Sequence, residues 1–247
     1  MKQYAVIGVS SFGKRILSEL LQLDCEIILI DKDPELIDYF KNDVAAAYIA
    51  NVINEEIVFR LIPADIDAAV IDLGDRIEAS ILVTQYLSKI GIANIIVKAE
   101  TDQHGEILSI VGASHVVYPD LEAARRVIPM LASDLLFDYL PISKELVIAE
   151  TGVPQDLIGH TLFETDIWQA KGINVLAFHR SGEKDHQVPK TEYRFQKEDV
   201  LLVAGREEDI ASFTGKEPDD RRRNISDLLL RFFGKEDRRS SVLSSDG

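Results

Sequence analysis

Two glycines five positions apart, a serine between them and an aspartate closing the next apolar run are the residues of this 247-residue sequence best arranged for chemistry. The string Gly8-Val9-Ser10-Ser11-Phe12-Gly13 follows a short apolar run and opens a segment of helical spacing. A dinucleotide-binding turn asks for glycine at three places. The first makes the tight turn, the second lets a pyrophosphate approach the backbone, and the third lets helix and strand pack closely. Gly8 and Gly13 meet the first and third requirements, whereas Ser10 places a Cβ and a hydroxyl where a phosphate would press closest. The free N–H groups and positive dipole end of the following helix still suit an anion. Asp31 lies 18 residues past Gly13, where an acidic side chain can accept from ribose hydroxyls. Together these residues predict a nucleotide site with a weakened or shifted pyrophosphate contact.

Other chemistries find less support. Tyr193 and Lys197 have the spacing of the tyrosine–lysine pair of short-chain dehydrogenases, but the string between them alternates like a strand. The histidines at 104, 115, 160, 179 and 186 show none of the helical zinc spacings, which argues against a catalytic zinc. There is no GxSxG string. Cys25 is the single cysteine, so no intramolecular disulfide is expected. Against 27 basic residues stand 42 acidic ones, a net charge of −15 that disfavours nucleic acid and anionic lipid as partners. The first residues lack the regions of a signal peptide, and no apolar stretch reaches the roughly 18 residues of a membrane span. A cytoplasmic chain is expected.

These residues need a scaffold, and the sequence texture supplies one. Apolar, β-branched runs at 4–8, 26–31, 45–50, 68–73, 94–98 and 115–118 are too short for helices. They suit parallel strands buried on both faces. Segments of helical spacing lie between them at 13–23, 34–41, 55–61, 76–90 and 103–110. Asp33-Pro34 is a helix start, and Gly91 and Gly112 are helix stops. Six such repeats predict a doubly wound parallel sheet. A longer helix over 121–137 has no strand to return to and reads as a connecting arm, suited to packing on another subunit.

From about residue 142 the texture becomes that of a small α+β module. Strands are expected at 145–150, 174–180, 192–196 and 200–205, and an amphipathic helix near 161–171 carries Trp168 as a core or dimer-face aromatic. Residues 216–247 hold 8 basic and 7 acidic groups around an apolar decamer at 224–233. That decamer predicts an amphipathic helix, and the end reads as disordered.

Six local strings in order resemble the RCK-domain proteins, the TrkA/KtrA-type regulatory subunits of bacterial potassium uptake. They are GVSSFG at 8–13, Ile30-Asp31, Ala50-Asn51-Val52, the stretch from Leu73 to Ser80, Val97-Lys98-Ala99 and Gly112 to Asp120. The stretch Pro189 to Gly205 is similar to the family's C-terminal domain. The resemblance implies an α/β fold: a Rossmann-like doubly wound parallel sheet with crossover helix over 1–137, a small α+β ligand or dimerisation domain over 138–214, and a charged tail over 215–247.

It also implies a site and a role. Gly8, Val9, Ser10, Ser11, Phe12 and Gly13 would line phosphates, with Asp31 and Lys32 at the ribose. Asn51 and Val52 would edge the adenine, Leu73 and Gly74 the far phosphate or second ribose, and Lys98 would add charge. The implied cofactor is an adenine nucleotide. Serine at position 11, where ATP-responsive members carry arginine, favours NAD(H) or ADP over ATP. Asp120 takes the place of the acidic residue that joins a divalent-cation site in some members. Cyclic di-AMP binds the C-terminal domain of some relatives, and 173–179 would be the strand to examine. The expected partners are further copies of the chain, from a dimer to an octameric ring, and an integral-membrane potassium-translocating subunit at the inner face of the membrane, with no nucleic acid. An NAD-dependent oxidoreductase and a ligand-sensing regulator of another transporter are the rival readings.

Overall fold

The computed structural model describes residues 1–143, 145–183 and 185–215. The chain divides into two compact units, Met1–Glu122 and a second from Ala123 onward. The amphipathic helix expected at 224–233 lies outside the described residues.

In the first unit strands and helices alternate without exception: β1 (Lys2–Ile7), α1 (Ser11–Leu20), β2 (Cys25–Asp31), α2 (Pro34–Phe40), β3 (Ala46–Ile49), α3 (Glu55–Leu61), β4 (Ala68–Ile71), α4 (Ile77–Ile90), β5 (Ile95–Lys98), α5 (Asp102–Ile110) and β6 (His115–Val117); α6 (Pro119–Leu131) begins in the first unit and runs into the second. The six strands form one parallel sheet in the order β3-β2-β1-β4-β5-β6. Strand order reverses between β1 and β4, and open α/β sheets bind ligands at the carboxyl ends of the strands beside such a reversal.

The central strands are apolar along their inner stretches, such as Ala5–Ile7, Ile27–Ile30 and Ala69–Ile71, because both faces are covered there. Val6, Ile27 and Leu29 pack with Leu17 of α1 and Ile37 and Phe40 of α2. Their neighbours Ala5, Ile7, Ile28 and Ile30 pack on the opposite side with Val58 of α3, Val83 and Leu87 of α4 and Leu108 of α5. Each fully buried Leu or Ile contributes about 1.5–3 kcal/mol of transfer free energy. Local signals set the helix ends. The Asp33 carboxylate accepts from the N–H groups of Glu35 and Leu36 with Pro34 at the first helical position, and Gly91 closes α4 at φ +94°. His104 of α5, 3 % exposed, accepts from the Glu100 N–H at Nδ1, so its Nε2–H faces the Ser80 hydroxyl of α4 at 2.8 Å.

The second unit holds β7 (Leu136–Pro141), β8 (Val147–Gly152), α7 (Leu162–Thr165), α8 (Ile167–Lys171), β9 (Asn174–Arg180), β10 (Asp199–Gly205) and α9 (Glu207–Phe213). Its strands form an antiparallel sheet in the order β7-β8-β10-β9. Leu201 and Val203 of β10 point into a core with Tyr139, Ile173, Phe195 and Ile210.

Three expectations change here. The helix predicted over 121–137 stops at Leu131, just past Pro129, whose ring cannot continue the hydrogen-bond ladder. Residues 136–141 pair with β8 instead. The strand expected at 192–196 is a turn with a single bridge, Arg194 to Thr161, because the Asp199 carboxylate accepts from the Tyr193 hydroxyl and the Gln196 N–H and curls the chain. The helix expected at 161–171 is two short pieces, broken at Asp166 with φ +40°. Trp168 is 62 % exposed and no part of the core.

Candidate functional site

The predicted turn joins the end of β1 to α1 at the reversal of strand order. Gly8 has φ +86°, and a Cβ there would lie 2.0 Å from the Asp72 carbonyl oxygen. A Cβ on Gly13 would lie 2.5 Å from the Gly8 carbonyl oxygen. Both glycines are therefore demanded by the close passage of β1, α1 and the end of β4. Ser10 is the N-cap residue of α1 in extended conformation, and its carbonyl accepts the first helical hydrogen bond from Lys14. Its side chain does not cap the helix.

The Ser10 hydroxyl donates to the Oδ2 of Asp72, the residue after β4. That same oxygen accepts from the Gly13 N–H at 2.7 Å, and Oδ1 from the Gly74 N–H at 3.3 Å. Asp72 is 1 % exposed. A buried carboxylate thus sits at the start of α1, where a positive dipole end and free N–H groups stabilise negative charge. Asp72 is not among the site residues that local spacing predicts. The signal was an acid ending an otherwise apolar strand, in register with the turn that carries the odd serine.

The predicted residues gather unevenly. Asp31 accepts from Val9 N–H at 2.7 Å through Oδ2 and from Asp33 N–H at 2.8 Å through Oδ1, so it braces the turn and keeps lone pairs for a ribose. Ser11 and Phe12 occupy the first two positions of α1, whose N–H groups have no partner within a helix. Gly74, at φ +64°, comes close to Ser10: a Cβ on it would lie 3.9 Å from the Ser10 Cβ. Leu73 packs partly on the core. Lys32 is exposed beside Asp31.

Lys98, at the end of β5, pairs with Glu100 at 2.9 Å, and that hydrogen bond raises its pKa against the opposing effect of burial. The charges of Asp72 and Asp120 raise it further, so Lys98 feels the same crevice. Asn51 is exposed, and its side chain accepts from Ile53 N–H at 3.3 Å. Val9 and Val52 turn inward, 5 % and 4 % exposed, leaving only their backbone for a ligand. Asp120, exposed in the first turn of α6, belongs to no group of three converging His, Cys, Asp or Glu side chains among the described residues. An open depression of about 540 Å³ between α2 and the edge strand β3 is lined by Pro34, Glu35, Asp38, Tyr39 and Ile49 and contains none of these residues.

The fit to a nucleotide can be judged from this geometry. The leading N–H groups of α1 and the acid at the end of β2 suit an adenosine phosphate, while Gly8 and Gly13 serve the tight turn that brings them together. Asp72 already holds part of the anion position. The remaining capacity favours a ligand with little charge at that point.

Comparison with known proteins places the chain. The TrkA-N domain family matches residues 4–119 and the TrkA-C domain family residues 146–216. The Ktr system potassium uptake protein C of Bacillus subtilis is 34% identical over 86% of this chain and 96% of its own length. The chain belongs to the TrkA/Ktr family of RCK-domain proteins. Protein A of the same Bacillus subtilis system is 27% identical over 86% of this chain and 95% of its own length. Among solved structures, the GsuK channel bound to NAD superposes with a TM-score of 0.62 at 17% identity, covering all of this chain and 48% of that one. The likeness to that channel concerns the fold, and this chain spans about half its length. Among the described residues no helix is long and apolar enough to cross a membrane.

Proposed function

We propose that this protein is a nucleotide-sensing regulatory subunit, without catalytic activity of its own, that gates a Ktr-type potassium-uptake system. Similarity to Ktr system proteins over 86% of this chain and nearly all of their own length supports the role. The observation that carries the sensing is the turn from Gly8 to Gly13, which starts α1 at the reversal of the sheet while Asp31 at the end of β2 bonds the turn through the Val9 N–H. NAD(H) and ADP fit better than ATP, because the Asp72 carboxylate repels added phosphate charge and no guanidinium stands at Ser11. GsuK, whose fold is shared, is a channel bound to NAD.

The subunit works as a homo-oligomer at the inner face of the membrane, held there by a potassium-translocating partner. Helix α6 supports assembly: none of its residues is buried, and Val127, Ile128 and Leu131 are exposed. Nucleotide acts by binding one arrangement of the oligomer better than the other, and the gate shifts only by that difference in affinity. The oxidoreductase reading is disfavoured, because the Tyr193 hydroxyl donates to Asp199 and its ring stacks on Phe178 at 4.2 Å.

Two measurements test the reading. Thermal-shift titrations of the purified chain with NAD⁺, NADH, ADP, ATP and cyclic di-AMP should show stabilisation by NAD(H) or ADP, lost in Asp31→Ala. Potassium uptake in cells lacking the native subunit should be restored by this chain and lose its nucleotide response in the same variant. Stabilisation by none of the adenine nucleotides, or uptake indifferent to the chain, would refute it.

A further inference from the structure

We propose that Glu150, His179 and His186 form a binding site for a divalent transition ion of the zinc class. The site lies wholly in the second unit and is independent of the nucleotide reading. One donor atom from each of the three side chains can be chosen so that all lie within 4.8 Å of one another. His186 Nε2 and Glu150 Oε1 are already 3.2 Å apart. Zinc bonds of 2.0–2.2 Å in tetrahedral geometry separate neighbouring donors by about 3.4 Å, so small side-chain rotations close the remaining gap.

Backbone register creates the juxtaposition. Phe178 and Gln187 each donate their N–H to the other's carbonyl at 2.8 Å, which makes them a hydrogen-bonded antiparallel pair. The next pair in that register is His179 with His186, whose side chains share a face. Their ring centroids are 4.8 Å apart at an interplanar angle of 64°. Glu150 reaches the same face: it pairs with Leu202 of β10, His179 pairs with Val200, and both of those alternate with the core residues Leu201 and Val203.

The chemistry of the donors selects the ion. His179 Nδ1 lies 2.9 Å from the Arg180 carbonyl oxygen, which can only accept, so Nδ1 carries the proton and Nε2 keeps its lone pair. Metal-binding histidines use this kind of hydrogen bond to fix tautomer and ring orientation. Two imidazoles and one carboxylate match zinc, cobalt or nickel, whereas magnesium and calcium take oxygen ligands. The side chains of His186 and Glu150 are 39% and 31% exposed, so an ion can enter from solvent and keep a water as its fourth ligand. An ordinary ion pair between Glu150 and His186 would not require the second imidazole.

The test uses the full chain stripped of metal. Calorimetry with Zn²⁺ should show one ion per chain, and Co²⁺ should give the visible absorption of a tetrahedral or five-coordinate N/O site. Glu150→Gln, His179→Gln and His186→Gln should each weaken Zn²⁺ by at least about tenfold, and Mg²⁺ should give no heat. In the unaltered protein, histidine ring NMR signals of His179 and His186 should move on adding Zn²⁺ while those of His104, His115 and His160 stay. This second readout does not depend on how the variants fold. Zn²⁺ binding weaker than about 100 μM, binding unchanged in His179→Gln and His186→Gln, or movement confined to other histidines would overturn the assignment.

Discussion

A carboxylate buried at the start of a helix accepts hydrogen bonds that a bound anion would otherwise take. Asp72 does so with the Ser10 hydroxyl and the Gly13 and Gly74 N–H groups. Replacing it by asparagine keeps the shape and removes the charge. The Asp72→Asn variant should bind NAD(H) or ADP about tenfold more tightly, which is about 1.4 kcal/mol. It should also lose about 1–3 kcal/mol of stability, since asparagine has one acceptor oxygen where the carboxylate uses two, and its NH2 would face a backbone N–H that is left unpaired. Calorimetry and urea unfolding would read the two effects, and unchanged or weaker nucleotide binding would show that Asp72 does not compete for the anion position. The glycines and Asp31 were legible in the sequence because each answers a local backbone or hydrogen-bonding need. Asp72 was not, since its role exists only once β4 lies beside β1.

At the scale of elements, a single glycine decides how α5 meets the end of the sheet. A Cβ on Gly105 would lie 1.7 Å from the Tyr118 hydroxyl oxygen and 3.1 Å from a Val116 methyl. Alanine is the better helix former by about 1 kcal/mol, yet Gly105→Ala should destabilise the first unit by about 1–3 kcal/mol. Chemical unfolding would decide the sign. The neighbouring residue ties α5 to α4 with a pH dependence. Burial holds the His104 imidazole below its ordinary value, with the Glu100 charge opposing. The unfolded chain then takes up this proton first, so the contribution is complete above about pH 6.5 and declines as pH falls through the window beneath it. An NMR titration of the His104 ring should give a midpoint below 6.5, and a midpoint at or above that value would contradict the assignment.

The alternation of the first unit could be read from the sequence because strands covered on both faces are continuously apolar. Strand β7 could not, because its first two residues read as the continuation of the helix over 121–137 and the strand β8 that pairs with 136–141 is not evident locally. The approach of His179 to His186 was hidden for a similar reason. It depends on a strand turning back on itself, not on any helical spacing.

For the whole molecule, α6 links stability to assembly. An amphipathic helix with Val127 at 48%, Ile128 at 39% and Leu131 at 82% exposure gains apolar burial only when a second surface covers it. If further copies of the chain provide that surface, the Tm should rise with protein concentration. Scanning calorimetry across a hundredfold dilution series, with sedimentation at the same concentrations, would test this; a constant Tm together with a monomeric chain would refute it. The charge of −15 acts in the opposite direction, so the effect should grow with added salt.

The acid lodged beneath the glycine turn has a last consequence, and it concerns what an arriving nucleotide has left to organise. The turn is already wired shut by its own side chains, so it is a finished receptacle before any guest appears. Docking there exchanges one set of partners for another and does not freeze a floppy segment. Its heat-capacity signature should accordingly be small, and the amides of Val9 and Gly13 should resist deuterium as stubbornly in the empty protein as in the filled one.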